Sequence, residues 1–326
     1  MVTAIEPILR TQLIDRRQKL AQAATTFERP SELTRLLDEV DAALQRMDRG
    51  VYGLCEVCHD PVETERLLAN PLVRVCLGDL TVHERRALEV DLELAAQIQT
   101  GLLPHPSQQI DGWEVSYHYE PAGPVSGDYC DLIKGDDNSL HFILGDVSGK
   151  GVAASMLMAH LHAMFRTLTS INLPLDQMME RASRVFCEST LPTQYATLVC
   201  GRANTQGEVE ICNAGHLPPL LLQSGSVTSI EATGLPIGVF SSESFTCTSL
   251  QMRKGDALLL YTDGLSESQD AGGNEFGTAR LSALLTKNGD MSTQSMLTLC
   301  RSELSAFANG NSPRDDLTLM AIQRVR

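Results

Sequence analysis

An α+β fold is the class that the sequence predicts, and three observations predict it. From Gly112 onward the chain breaks into short alternating or apolar runs set off by Gly, Asn, Asp and Pro, the pattern of strands and turns. Helical stretches fall between hairpins instead of alternating strictly with strands, which favours helices packed on antiparallel sheets over βαβ units. Before Gly112 the apolar residues recur at three- and four-residue steps, so that part reads as helical around one loop-rich segment.

The first elements are helices over 4–24 and 31–48. The second carries Leu33, Leu36, Leu37, Val40, Ala43, Leu44 and Met47 on one stripe. Glu28, Arg29, Pro30 and Ser31 break the two apart, because Pro30 cannot continue a helix and Ser31 suits an N-cap. An antiparallel hairpin is expected, followed by a compact loop-rich segment from Gly50 to Asp79. A charged helix then runs from Thr81 to Leu103, with Leu88, Leu92, Ala95, Ile98 and Leu102 at helical spacing and Pro104 and Pro106 ending it. Its stripe suits either a linker packed on its own domain or a dimerising coiled coil.

Strands are expected in WEVSYHYEP, SLHFILGDV, ATLVCGRAN, VEICNAG, PPLLLQS, DALLLYTDG and LTLMAIQRV. Helices are expected over 151–170, 174–189 and 278–308, the last with a break near Gly289. Met156, Met158 and Met164 read as core packing of the first of these. The resulting division is a small helical and loop-rich domain at 1–80, a linker helix at 81–104 and a large domain at 105–326.

The chain has 326 residues and a formal charge of −15. That charge argues against unspecific affinity for nucleic acid or an anionic membrane. No run approaches the roughly 20 apolar residues that span a bilayer. Nine cysteines scattered through so long a chain are not a dense disulfide framework. A soluble cytoplasmic protein with reduced thiols is the expectation.

The informative residues are aspartates beside glycine-containing turns at the ends of strands: Asp128 and Asp131 in SGDYCD, Asp146 in LGDVSGKG, Asp263 in LLYTDGL, and Asp315 and Asp316 in SPRDDLTLM. Strand ends hold side chains rigidly, and hard carboxylate oxygens select Mg or Mn over zinc. Any one Asp-Gly turn is usually only a turn. Eight motifs in order carry more weight: IQTGLLP, SGDYCD, GDVSGKGVAASM, YATLVCG, NAGHLPPLL, GLPIGV, YTDGLSE and DDLTLMAI.

Together these motifs resemble the metal-dependent protein phosphatase (PPM) family, in its bacterial SpoIIE/RsbU branch, over about 86–326. The resemblance implies a β-sandwich flanked by helices, with two Mn or Mg ions at one edge of the sandwich. Asp146 would bridge both ions, with the Val147 carbonyl on one of them. Asp263 and Asp315 would complete the second, and Asp128 would act on the first directly or through water. Asp146, Asp263 and Asp315 are the catalytic set. A metal-activated water would attack phosphoserine or phosphothreonine with no covalent phosphoenzyme. His216 in NAGHLPPLL reads as ordering its loop by a hydrogen bond. Lys150 in SGKG is open between loop stabilisation and attraction of phosphate.

In the first part, Cys55 and Cys58 form a CxxC, and Cys76 and Asp79 a CxxD, a set that can hold tetrahedral zinc. The segment RMDRGVYGLCEVCHDPVETERLLANPLVRVC resembles the zinc finger of the DksA/TraR family, which binds RNA polymerase. Asp79 stands where that family has its fourth cysteine, so a zinc-bound finger and a metal-free finger both stay open. Two functions compete. One is an active phosphatase acting on STAS-type anti-anti-sigma proteins in a partner-switching pathway, with the N-terminal module binding a regulatory protein or the linker helix making a homodimer. The other is a transcription regulator docking on polymerase through the finger. Retention of all four acidic motifs favours the first.

Overall fold

A computed structural model describes residues 2–26, 30–79, 81–241, 243–289, 291–309 and 315–326. The chain divides into two compact units, Met1–Asp91 and Leu92–Arg326.

In the first unit, α1 (Val2–Thr26) and α2 (Pro30–Asp48) form the expected hairpin. The expected break at Glu28 and Arg29 lies outside the described residues, as do the side chains of Pro30 and Ser31. Arg10 pairs with Asp48 and Arg17 with Asp41, so residues advancing along α1 meet residues receding along α2: the helices are antiparallel. Leu9, Leu13, Val40, Ala43 and Met47 pack between them and onto Tyr52, Cys55, Val62, Leu67 and Cys76 of the following segment. That segment adds a short helix, α3 (Thr64–Ala69), and a single 3-10 turn at Leu77–Asp79. The next helix is α4 (Val82–Leu102).

The second unit holds eleven strands among the described residues. One sheet runs β1 (Ser107–Ile110), β2 (Trp113–Glu120), β11 (Leu317–Arg324), β10 (Ala257–Tyr261), β7 (Leu220–Gln223), β8 (Ser226–Ser229) in spatial order. The other runs β3 (Asp128–Lys134), β4 (Leu140–Val147), β5 (Ala196–Ala203), β6 (Glu208–Ala214), β9 (Thr248–Gln251). Every pairing between these strands is antiparallel.

Period-two alternation sorts the side chains into layers. Cys130, Leu132, Phe142 and Leu144 from one sheet meet Val115, Leu258, Leu260, Met320 and Ile322 from the other, filling the sandwich interior. Tyr129 and Ile143 point outward, under α5 (Gly151–Thr169) and α6 (Leu175–Ser189). Leu259, Tyr261, Leu319 and Ala321 lie under α8 (Thr278–Asn288) and α9 (Thr293–Ala308) on the opposite side. The result is a helix–sheet–sheet–helix stack. Gly201 is obligatory within it: a Cβ there would lie 2.0 Å from the Phe142 ring on the neighbouring strand.

Two expectations change. Met158 and Met164 are core residues, but Met156 is 69% exposed, because the buried stripe of α5 runs Ala154, Leu157, Met158, Leu161, Met164, Phe165 and bypasses it. The aspartates also do not simply terminate strands: Asp128 opens β3, and Asp263 opens the short helix α7 (Asp263–Ser266) just beyond β10. Among the described residues no helix is long and apolar enough to cross a membrane.

Candidate active site and its supporting residues

At one edge of the sandwich, β4, β10 and the start of β11 deliver Asp146, Asp263 and Asp315 to a single cleft of about 480 Å³. Val147, Ser148, Gly149, Lys150, Tyr195, Thr197 and His216 line the rest, with Glu267 at the rim. These residues span most of the unit's sequence, and the strand pairings bring them together.

Asp146 lies directly opposite Asp128 across the β3–β4 ladder. Asp128 sits beneath the cleft and is 1% exposed. Its Oδ2 accepts from Thr318 Oγ1 at 2.5 Å, on β11 of the other sheet, and from Thr262 Oγ1 at 3.0 Å, just beyond β10 of that sheet. Thr318 N donates in turn to Thr262 Oγ1 at 2.9 Å. The two threonines therefore pin the sheets together at the site and occupy one oxygen of Asp128. Neither is singled out by sequence reading, although both sit inside recognised motifs, YTDGLSE and DDLTLMAI.

Asp316 has a structural task. Its Oδ1 accepts from Ala122 N at 2.8 Å and its Oδ2 from Gly127 N at 2.9 Å, clamping the loop that leads into Asp128. The same loop is held from α4: the Gln99 amide donates to Ser126 O at 2.7 Å and accepts from Ser126 N at 2.9 Å. Gln99 is 5% exposed, so both groups would otherwise be buried without partners. Asp131, fully buried, takes a two-pronged grip from the Arg166 guanidinium at 2.6 and 2.7 Å, tying α5 to β3. Gly264 lets the Asp263 turn approach β11, since a Cβ there would lie 2.0 Å from the Asp316 carbonyl oxygen.

Charge explains what the cleft can hold. Burial, reinforced by the charges of Asp263, Asp315 and Asp316, pushes the Asp146 carboxyl up to about 7. Burial and then Asp315 raise Asp263, and burial and then Asp146 raise Asp128 well above the usual carboxylate range. Crowded carboxylates that oppose one another's ionisation are stabilised by a divalent cation, and an all-oxygen set fits Mg or Mn. Lys150 Nζ lies 2.8 Å from Asp315 Oδ2 as a partial local counter-charge. Both groups are largely exposed, so the pair is weak.

His216 orders its loop, as its sequence context suggests. Its Nδ1 accepts from Thr197 Oγ1 at 2.8 Å, its Nε2 donates to Tyr261 O at 3.1 Å, and its N donates to Asn213 Oδ1 at 2.8 Å. Burial drives the imidazole down to about 4, so it is neutral and both nitrogens are committed.

In the first unit, the donor atoms of Cys55, Cys58, Cys76 and Asp79 all lie within 4.8 Å of one another. Asp79 Oδ2 accepts from Cys55 Sγ at 3.1 Å and Cys76 Sγ at 3.2 Å, and Cys58 Sγ lies 3.6 Å from Cys76 Sγ. Three sulfurs and one carboxylate converging this way could hold a tetrahedral metal such as zinc. Among the described residues no cleft aspartate belongs to so tight a group.

Two stacked antiparallel sheets with helices on both outer faces and carboxylates gathered at one edge define the class, a PPM-type sandwich. Residues 136–325, more than half of the chain, match the family described as stage II sporulation protein E, so the chain belongs to the SpoIIE family. Residues 50–78 match the prokaryotic DksA/TraR C4-type zinc finger, a match that stops one residue short of Asp79. The chain is 28% identical over 264 residues to Protein IcfG of Synechocystis, covering 72% of this chain and 42% of that one. It is 24% identical over 192 residues to phosphoserine phosphatase RsbU of Bacillus subtilis, covering 58% and 57%. The crystal structure of the RsbU and RsbW domains of Rv1364c from Mycobacterium tuberculosis superposes with a TM-score of 0.59 at 29% identity, covering 68% of this chain and 62% of that one. The chain thus spans about half the length of the curated relatives it matches.

Proposed function

We propose that residues 105–326 form a Mn- or Mg-dependent protein serine/threonine phosphatase, acting on phosphoserine or phosphothreonine of a STAS-type anti-anti-sigma protein in a bacterial cytoplasmic partner-switching pathway. The observation that carries this reading is the convergence of Asp146, Asp263 and Asp315 from distant chain segments in one open cleft. The likeness to a phosphoserine phosphatase supports it.

In this reading Asp146, Asp263, Asp315 and the Val147 carbonyl hold two ions, with Asp128 acting on the first directly or through water. Bound there, the ions supply the positive charge that acidifies a water and neutralises phosphoryl oxygens. The chain's own residues do the positioning. Thr262 and Thr318 fix the Asp128 carboxylate, Asp316 fixes the loop before it, and Gly264 sets the spacing between Asp263 and the start of β11. His216, neutral and hydrogen-bonded through both ring nitrogens, keeps the 214–218 turn on the cleft wall.

Residues 1–80 act as a recognition module for a regulatory protein, and residues 81–104 as the linker, with a homodimer through that helix as one arrangement. Cys55, Cys58, Cys76 and Asp79 hold zinc in this account, the carboxylate substituting for the fourth thiolate. Metal analysis of purified protein checks this: one zinc per chain, lost with Cys76→Ser, is expected, and no bound zinc contradicts it.

Hydrolysis of a phosphoserine-bearing STAS protein, or of p-nitrophenyl phosphate, with and without Mn tests the activity. The expected outcome is Mn-dependent turnover that falls about 10³-fold or more in Asp146→Asn, at least about 4 kcal/mol of lost barrier reduction. Turnover that persists in the variant would contradict the reading.

A further inference from the structure

One face of the five-stranded sheet carries three thiols that the phosphatase site does not use. Cys200 on β5 and Cys212 on β6 are directly opposed in the ladder. β9 pairs with β6 through Ile211 and Thr248, and one step further in the same register Cys247 faces Cys212. All three thiols lie on the face of the sheet covered by α5 and α6.

Their surroundings differ. Cys200 and Cys212 are wholly buried, whereas Cys247 is partly exposed. Cys247 also lies beside Asp176, in the first turn of the 15-residue helix α6. A row of buried thiols in a sheet is ordinarily packing, and Cys200 fits that description. Cys247 departs from it by combining access to solvent, a facing partner and a place beside a helix start.

We propose that Cys212 and Cys247 form a reversible disulfide, with Cys247 as the sulfur that meets a hydroperoxide and Cys212 as the resolving thiol. Opposed residues of antiparallel strands have Cα atoms about 4.5–5.5 Å apart, inside the usual range for disulfides, so the bond forms without moving either strand far. Its interaction with the neighbouring Cys212 thiol, with a smaller contribution from the Asp176 backbone, holds the Cys247 thiol below its ordinary range despite burial and the charges of Asp176 and Glu210. The same interaction and burial raise the Cys212 thiol.

The chemistry balances in two steps. The Cys247 thiolate attacks one oxygen of the hydroperoxide: the S–O bond forms, the O–O bond breaks, and the alcohol or water leaves with a proton. Sulfur is oxidised by two electrons and the peroxide is reduced. Cys212 then gives up its proton and attacks the Cys247 sulfur; the S–S bond forms, the S–O bond breaks, and hydroxide leaves as water. A small dithiol reverses the bond by exchange. Once closed, it staples the edge strand β9 to β6 beside the start of α6.

The test uses the full chain, treated with hydrogen peroxide, alkylated and mapped by mass spectrometry. The expected result is a Cys212–Cys247 linked peptide that dithiothreitol removes, with free Cys247 consumed at least tenfold faster than free Cys200. Cys247→Ser should abolish the link, and Cys200→Ser, a folding control at the same ladder, should keep it. A Cys200–Cys212 link in the wild-type protein, or oxidation of Cys247 that leaves Cys212 reduced, would overturn the proposal, as would resistance of both thiols to peroxide.

Discussion

The acidic cleft and the N-terminal thiol cluster are both four-residue donor sets, yet they are built in opposite ways. The thiol set is local: all four donors lie between Cys55 and Asp79, and a few backbone turns bring them within 4.8 Å of one another. The acidic set is global, drawn from positions 128 to 315 and assembled only when two sheets stack. A local set can be specified by spacing, because a short loop has few ways to close. A global set needs additional residues to fix the relative position of its parts, and here those are Thr262, Thr318, Asp316, Gly264 and Gln99. Their substitution should therefore damage the cleft and spare the thiol cluster.

The largest effect is expected at Gly264. In Gly264→Ala the new methyl must displace the Asp316 carbonyl, which a Cβ would approach to 2.0 Å. Turnover should fall about 100-fold or more, and the large unit should lose about 2–3 kcal/mol of stability as overpacking strain. Kinetics alongside denaturant unfolding would check both, and near-normal turnover would break the argument that the turn must touch β11. Asp316→Ala comes next. It frees two backbone N–H groups, Ala122 and Gly127, at about 1–3 kcal/mol each where they are buried. A fall of about 10- to 100-fold in kcat with little change in KM is expected. The smallest is Gln99→Ala, which releases Ser126 on the loop leading to Asp128. A change of a fewfold in turnover, with a shift in the Mn concentration needed for half-maximal activity, is the outcome that marks α4 as a route to the metal site. No change in either would leave Gln99 as packing alone.

Much of this architecture was legible in the sequence, and the reasons divide along the same line. Strands with strong alternation, such as β2, β4, β5, β6 and β11, and helices with a clear apolar stripe, such as α5 and α6, are found within one or two residues of their expected ends. The short elements β1, β8, β9 and α7, four residues each, carry too little pattern to be read and are placed by their partners. Met156 faces solvent against expectation, because a methionine on a helix says hydrophobic without saying which face. The acidic residues were recognisable as motifs. What holds them was not: Thr318 on β11 and Thr262 at the turn after β10 look ordinary until the second sheet supplies Asp128, and the Asp316 and Asp131 carboxylates reveal their tasks only through Gly127 and Arg166. His216 is the instructive intermediate case, where the motif placed the residue and the buried Thr197 and Tyr261 contacts define its role.

The central claim, that the cleft aspartates form a divalent-metal site distinct from the thiol cluster, is tested most directly by calorimetric titration of Mn into the wild-type protein, Asp146→Asn and Cys76→Ser. The account predicts Mn binding that is lost or weakened at least about 100-fold in Asp146→Asn, a difference of about 2.7 kcal/mol, and unchanged in Cys76→Ser. Mn binding that survives Asp146→Asn, or that disappears with Cys76→Ser, would contradict it.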